Sequence, residues 1–322
     1  MQTGGVSEPL QVYRRRRAIA LVALAGAVLV VALALRSYGG GGSPAGEQQP
    51  PPATPAARPP VKQLPRGGRR IFPDYRVVAF YGAPQSQGLG TLGIGTPAQA
   101  AARLRHVAHG YAKKRRPALP AFELIATIAA AHPGDDSLYR IHQPDEVIDR
   151  YLRAARSAKA LLLLDIQPGR GDFLSEARRL ERWLREPDVG IALDPEWHAG
   201  PTEIPGQTIG SVTADEINEV SRYVSGIVRG GDLPMKLFVV HQFTSDMIEN
   251  KAAVQQPPGL AVTINADGFG DRPNKVSKYE LLTSDVPRFD DGFKLFYEED
   301  TNLMDAGAVL ALHPPPDLVV YE

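Results

Sequence analysis

The chain has 322 residues, 43% of them apolar and 22% charged, enough for one large domain or two small ones with a sizeable core. Its 36 basic residues balance 36 acidic ones, so no net positive field argues for a nucleic-acid partner. Cysteine is absent, which excludes disulfides, thiolate metal sites, a cysteine nucleophile and a lipidated N-terminal cysteine.

Residues 1–17 form a basic tail ending in Arg14, Arg15, Arg16 and Arg17, followed by an uninterrupted apolar run from Ala18 to Leu35. About 18 helical residues at ~1.5 Å each reach roughly 27 Å, close to the thickness of a hydrocarbon core. With only Arg36 on the far side, the run (residues 18–36) reads as a single-pass membrane anchor. The charge asymmetry puts the N-terminus in the cytoplasm and the C-terminal domain outside. A cleaved signal peptide is the alternative, although its apolar region is normally ~7–15 residues. Residues 37–70, opening with glycines and continuing through QQPPPATPAARPP, read as a disordered linker.

From residue 71 to 322, short apolar strands alternate with helical segments. Val77–Tyr81 is a strand, followed by a glycine-rich stretch and a helix announced by Thr96, Pro97 and Gln99. Phe122–Ala129 is the second strand, and Pro144 starts a helix striped by Ile148, Tyr151 and Ala155. Leu161–Gln167 is the third, followed by a helix from Asp172. Val189–Trp197 is the fourth, and a helix with a Thr213/Glu216 capping box comes next. Leu237–Phe243, Leu260–Asp267, Phe293–Glu299 and Leu318–Tyr321 complete eight strands. Helical segments are expected near Asp246–Val254, Lys275–Leu282 and Asn302–Leu312. Eight buried-looking strands over this length predict an α/β (β/α)8 TIM-type barrel. A doubly wound open sheet is the runner-up, but no GxGxxG opens a helix directly after the first strand. Gly88, Gly90, Gly93 and Gly95 read as a mobile loop rather than a phosphate cradle.

In such barrels the site lies at the carboxyl ends of the strands. Those ends are polar here: Asp165 and Gln167, Asp194 and Glu196, His241 and Gln242, Asn265 and Asp267, then Glu298, Glu299 and Asp300. The twofold alternation of a strand puts Asp165 with Gln167, Asp194 with Glu196, and Asn265 with Asp267, each opposite branched residues suited to packing on helices. The acids should therefore point into the mouth. On the seventh strand, either Glu298 faces inward with Lys294 and Phe296, or Glu299 does with Phe293, Leu295 and Tyr297. Converging carboxylates beside Tyr81, Trp197 and Tyr297 suggest carbohydrate chemistry, in which one protonated acid and one partner carboxylate divide the work. The plainer reading has these acids capping helices or pairing with arginines.

The acids at the ends of strands four and seven resemble the layout of the large barrel superfamily of retaining glycoside hydrolases. That resemblance implies Glu196 as proton donor and Glu298 as nucleophile, with Asp165, Asp194 and Asp267 as pKa tuners or ligands of sugar hydroxyls. The chain departs from the superfamily in having Pro195, not asparagine, before the donor. It also resembles exported bacterial barrel proteins of unassigned activity.

No cofactor is expected, and no metal set is assigned: HxH and HExxH are absent, although His198 and His241 with Asp194 and Asp267, or an oxygen-rich Ca²⁺ or Mg²⁺ site, are alternatives. No GxSxG elbow is present. The expected function is a membrane-tethered, extracytoplasmic, glycan-active hydrolase of the cell envelope. The alternative is a barrel that binds an envelope glycan or peptide without cutting it.

Overall fold

A computed structural model describes residues 61–284 and 288–322. The expected tail, the apolar run and most of the linker lie outside the described residues. Among the described residues no helix is long and apolar enough to cross a membrane.

Eight parallel strands form a closed barrel: β1 (Arg76–Gly82), β2 (Ala118–Ala129), β3 (Leu161–Ile166), β4 (Val189–Leu193), β5 (Lys236–Gln242), β6 (Leu260–Ala266), β7 (Asp290–Leu295) and β8 (Leu318–Tyr321). Each pairs with the next, and β8 returns to β1 with Val77 opposite Leu318 and Phe80 opposite Tyr321. A ring closed in this way has no edge, which distinguishes it from the open sheet. Around it lie α1 (Pro97–His109), α2 (Asp145–Ser157), α3 (Phe173–Arg179), α4 (Glu181–Leu184), α5 (Ala214–Gly230), α6 (Arg272–Ser284) and α7 (Ala306–Leu310).

Alternation along the strands sorts the core into two bodies. Val78, Phe80, Phe122, Leu162, Leu164, Ile191, Phe238, Val240, Val262 and Phe293 pack outward against the helices. Val77, Ala79, Leu119, Ala121, Leu163, Ala192, Leu237, Val239, Leu318 and Val320 fill the interior. The interior is thus apolar towards the amino ends of the strands. The next inward positions carry polar side chains, and these build the site.

Several expectations shift. Leu64, Ile71 and Phe72 join the interior cluster and close the barrel's lower end, so the folded domain begins before residue 71. Arg69 secures this segment through Asp232 and by its carbonyl accepting from Met235 N. The glycine-rich stretch is packed rather than loose: it folds into 3-10 turns at Gln87–Leu89 and Thr91–Gly93 with Leu92 buried. Gly88, Gly90 and Gly93 do stand at GxGxxG spacing, but α1 starts later, on its own Thr96/Gln99 capping box. The helix expected near Asp246–Val254 is replaced by Ile248–Glu249, paired with Val212–Thr213, and a 3-10 turn at Lys251–Ala253. Asn250 takes φ 55° there and interrupts the run before a helical turn can propagate.

The largest correction concerns β7, which runs from Asp290 to Leu295 instead of Phe293 to Glu299. Gly292 lies opposite Asn265, and a Cβ there would come within 2.6 Å of Asn265 Oδ1 and 2.9 Å of its Cα. Only glycine admits this approach of two barrel strands. The register it permits turns Lys294 inward and leaves Glu298 beyond the strand.

Candidate active site at the barrel mouth

The polar layer begins with Tyr81 at the end of β1 and Glu123 on β2, which are register partners. Asp165 and Gln167 come from the end of β3, Asp194 from the end of β4, His241 from β5, Asn265 and Asp267 from β6, Lys294 from β7 and Glu322 from the residue after β8. Glu123 and Asp165 are wholly inaccessible to solvent, and His241 is 1% exposed.

Two hydrogen-bonded groups meet here. In one, Tyr81 Oη donates towards Asp165 Oδ2 at 3.3 Å and lies 3.5 Å from Asp194 Oδ2, while Gln167 Nε2 donates to Tyr81 Oη at 2.9 Å. The Asp165 and Asp194 oxygens on either side of the phenol are therefore at most about 7 Å apart, within reach of the spacings used by paired catalytic carboxylates. In the other, His241 Nε2 faces Glu123 Oε1 at 2.9 Å and its Nδ1 faces Asp267 Oδ2 at 3.0 Å. Lys294 Nζ donates to the same Asp267 oxygen at 3.0 Å and to Glu322 Oε2 at 2.7 Å, and stands 3.9 Å from the centre of the Tyr81 ring.

Carboxyls outnumber cations in this layer, and the electrostatics follow. Burial and then the nearby Asp194 push Asp165 well above the usual carboxylate range, against the pull of His241. Burial disfavours charge on His241, but Glu123 and Asp267 outweigh it and raise the imidazole well above its ordinary value. Burial likewise opposes ionisation of Asp267, yet Lys294 and His241 together hold it below the normal range. The same balance favours protonated Lys294: burial is overcome by Asp267, Glu322 and Asp194. The layer therefore favours an ionised Asp267 between His241 and Lys294, and disfavours charge on Asp165.

Glu196 does not extend β4. The strand stops at Leu193, and Pro195–Trp197 is a 3-10 turn at the rim. There Glu196 is half-buried, and desolvation followed by the charge of Asp267 raises its carboxyl well above the usual range. Gly210 N donates to the Glu196 carbonyl at 2.9 Å. This ties the turn to a cleft of about 450 Å³ lined by Arg170, His198, Glu203, Ser211 and Glu216 among others. Trp197 is half-buried on the same turn. Lys278, on α6, lies 3.8 Å over the Phe243 ring, and burial pushes its pKa down to about 8 against the pull of Asp267 and Glu196.

Thus Tyr81, Asp165, Gln167, Asp194, His241, Asn265 and Asp267 converge, with Glu196 and Trp197 at the rim. The other expected residues do not join them. Glu298 is exposed beyond β7. Tyr297 is exposed and stacks on Tyr321, a residue of the outward-facing core. Gln242 is buried but spends its amide on the carbonyls of Thr244 and Ser245, bracing the loop after β5. Asp300 is an N–H acceptor for Gly270 and Phe296 and pairs with Lys275, a structural role. His198 lies in the cleft, its Nδ1 2.8 Å from the Ser211 carbonyl, and so does not meet His241 in one ligand set. Glu123, Lys294 and Glu322 were absent from the expected set. The signal for Glu123 was a lone acid inside the apolar run FELIA, two residues from Ala121 and Ile125 on the inward face.

No known family matches the sequence, and no curated protein matches it. Among solved structures, the chain is similar to an oxaloacetate acetylhydrolase in complex with the product oxalate. That likeness has 14% identity over 77% of this chain and 75% of the other, with a TM-score of 0.44. It is also similar to a spore coat polysaccharide biosynthesis protein from Bacillus subtilis, with 12% identity, 77% and 59% coverage and a TM-score of 0.42. The barrel rests on its own hydrogen-bonded strands, and these likenesses add nothing to it about chemistry.

Proposed function

We propose that the chain is a membrane-tethered, extracytoplasmic hydrolase that cuts a glycan of the cell envelope, with Glu196 as proton donor and Asp194 as its partner carboxylate. One observation carries the reading: Glu196 is half-buried on the rim turn beside the cleft, and burial and the charge of Asp267 favour its protonated form. A group in that state can deliver a proton to a leaving glycosidic oxygen, provided a second carboxylate stands across the bond. Asp194 lies two residues away, buried just past the end of β4. Tyr81 and Gln167 orient the inner carboxyls, and the cleft beside the Glu196 turn has the size of a ligand site. The role of Glu298 implied by the retaining-hydrolase resemblance is not carried forward, because β7 delivers Lys294 instead of an acid. The tether is proposed from the apolar run Ala18–Leu35 and the arginines before it.

A second reading, a barrel that binds an envelope glycan or peptide without cutting it, draws on the depth of Asp165 and Asp194, 0% and 3% exposed. Hydrolysis of cell-wall and soluble glycans by the wild type, Glu196→Gln and Asp194→Asn separates the two. Catalysis predicts a loss of roughly 10²–10⁴-fold in turnover for Glu196→Gln with sugar binding retained. Sugar binding without any turnover by the wild type leaves only the binding reading. Fractionation of cells making the full chain and a chain lacking residues 1–36 tests the tether, which predicts that only the full chain sediments with membranes.

A further inference from the structure

We infer that Glu123, Asp165 and His241 form a site for one divalent cation of the Mn²⁺ or Zn²⁺ type at the centre of the barrel mouth, with Asp267 positioning the imidazole. The three side chains come from β2, β3 and β5, three separate parts of one rigid ring. Each offers one ligand atom, and the three atoms lie within 4.8 Å of one another. His241 Nε2 is 2.9 Å from Glu123 Oε1 and 3.9 Å from Asp165 Oδ1. A cation with bonds of ~2.1 Å holds neighbouring ligand atoms roughly 3 Å apart and opposite ones roughly 4.2 Å apart, so the present spacing needs little adjustment.

Two independent features distinguish this cluster from an accidental gathering of charge. Among the described residues, Glu123 Oε2 and Asp165 Oδ1 have no hydrogen-bond partner although both side chains are wholly buried. Interior acceptors are rarely left so, and both belong to carboxyls that face the imidazole nitrogen a cation would use. The far ring nitrogen, Nδ1, is 3.0 Å from Asp267 Oδ2, and Lys294 Nζ donates to the same oxygen. A carboxylate that accepts a hydrogen bond from Nδ1–H leaves Nε2, on the Glu123 and Asp165 side, as the nitrogen a cation would use, the arrangement by which ligating histidines are oriented. The cation then takes the place of the Nε2 proton and of the proton carried by Asp165, both of which leave to solvent. Two carboxylates and one imidazole suit Mn²⁺ or Zn²⁺ better than the all-oxygen shells of Ca²⁺ and Mg²⁺. The site does not depend on the substrate being a glycan.

The test uses the full-length chain in detergent, stripped with a chelator and titrated with MnCl₂ and ZnCl₂ by calorimetry. One equivalent of at least one of the two cations is expected to bind. Glu123→Gln and Asp165→Asn should each weaken binding at least tenfold, and Asp267→Asn by ~10–100-fold. Circular dichroism establishes that each variant is folded. Should one fail to fold, spin-echo spectroscopy of the Mn²⁺-loaded wild type decides, since a ¹⁴N coupling from the His241 ring is expected. No stoichiometric binding, bound Mn²⁺ without that coupling, or folded Glu123→Gln and Asp165→Asn variants that bind like wild type would each overturn the inference. A chain that binds the cation yet cuts no glycan overturns the hydrolase reading alone; one that cuts glycan but binds neither cation overturns this one alone.

Discussion

Lys294→Met is the sharpest perturbation the site allows. The substitution nearly conserves length and volume, so it removes charge without opening a large void. Lys294 is 3% exposed and holds both Asp267 and Glu322, so its loss takes from both carboxylates the cation they share and leaves Asp267 with His241. Removing one member of a buried pair costs about 3–5 kcal/mol. The Glu322 side chain is 25% exposed, and water can compensate it in part, which places the expected loss near the lower end, about 3 kcal/mol. For a domain of this size that corresponds to a melting point lower by roughly 6–12 °C. Urea unfolding followed by the fluorescence of Trp183 and Trp197 measures it. The pH dependence has a definite sign. Asp267 is held below its unfolded value, so its contribution is present above about pH 4 and lost as acid carries the pH down through the folded value. Lys294 is raised, so its contribution is complete below about pH 10 and lost only at higher pH. The deficit of the variant should therefore be full at pH 7 and shrink below about pH 4, and adding Asp267→Asn should recover part of it. A loss under about 1 kcal/mol at pH 7, or one that stays constant into acid, refutes the charge accounting.

Two further outcomes follow from the same electrostatics. Lys278, with its pKa pushed down to about 8, should be acylated by an amine-directed reagent with a midpoint near that pH, while exposed lysines follow at higher pH; mass spectrometry of quenched samples reads this, and labelling in step with the other lysines counts against it. Burial opposes the charge of Glu176, but His142 and Arg140 hold its carboxyl down at about 2, so its contribution is present above the unfolded value near 4.3 and lost as pH falls to about 2. Glu176→Gln should lower stability at neutral pH by roughly 3 kcal/mol and flatten the acid limb over that window, as seen by denaturant unfolding at several pH values. An acid limb unchanged by the substitution would show that Glu176 is not the titrating group.

Much of the barrel was legible residue by residue. The capping boxes at Thr96/Gln99 and Thr213/Glu216 formed as their spacing predicts, because both partners are local. The inward facing of Asp165, Asp194, Asn265 and Asp267 was likewise legible, since period two fixes one face once the branched residues claim the other. The misreadings have a common origin. At β7 the apolar run FKLF marks a strand without marking its ends, and the ends are set by the closeness of Gly292 to Asn265 on another strand. At Val189–Leu193 the strand ends before the acids, because Pro195 supplies no N–H to continue the ladder. Glu196 therefore reaches the rim from a 3-10 turn rather than from the strand it seemed to finish.

The sequence alone determined the period, the caps and the number of strands, because those depend on neighbours within a few residues. It also determined that cysteine chemistry is absent. Which acids carry a proton, which are held ionised, and that Glu123, His241, Lys294 and Glu322 belong to one layer were decided only by the closed ring. Those properties arise from distances between residues as far as 118 positions apart along the chain, Glu123 and His241, and from the exclusion of water where they meet.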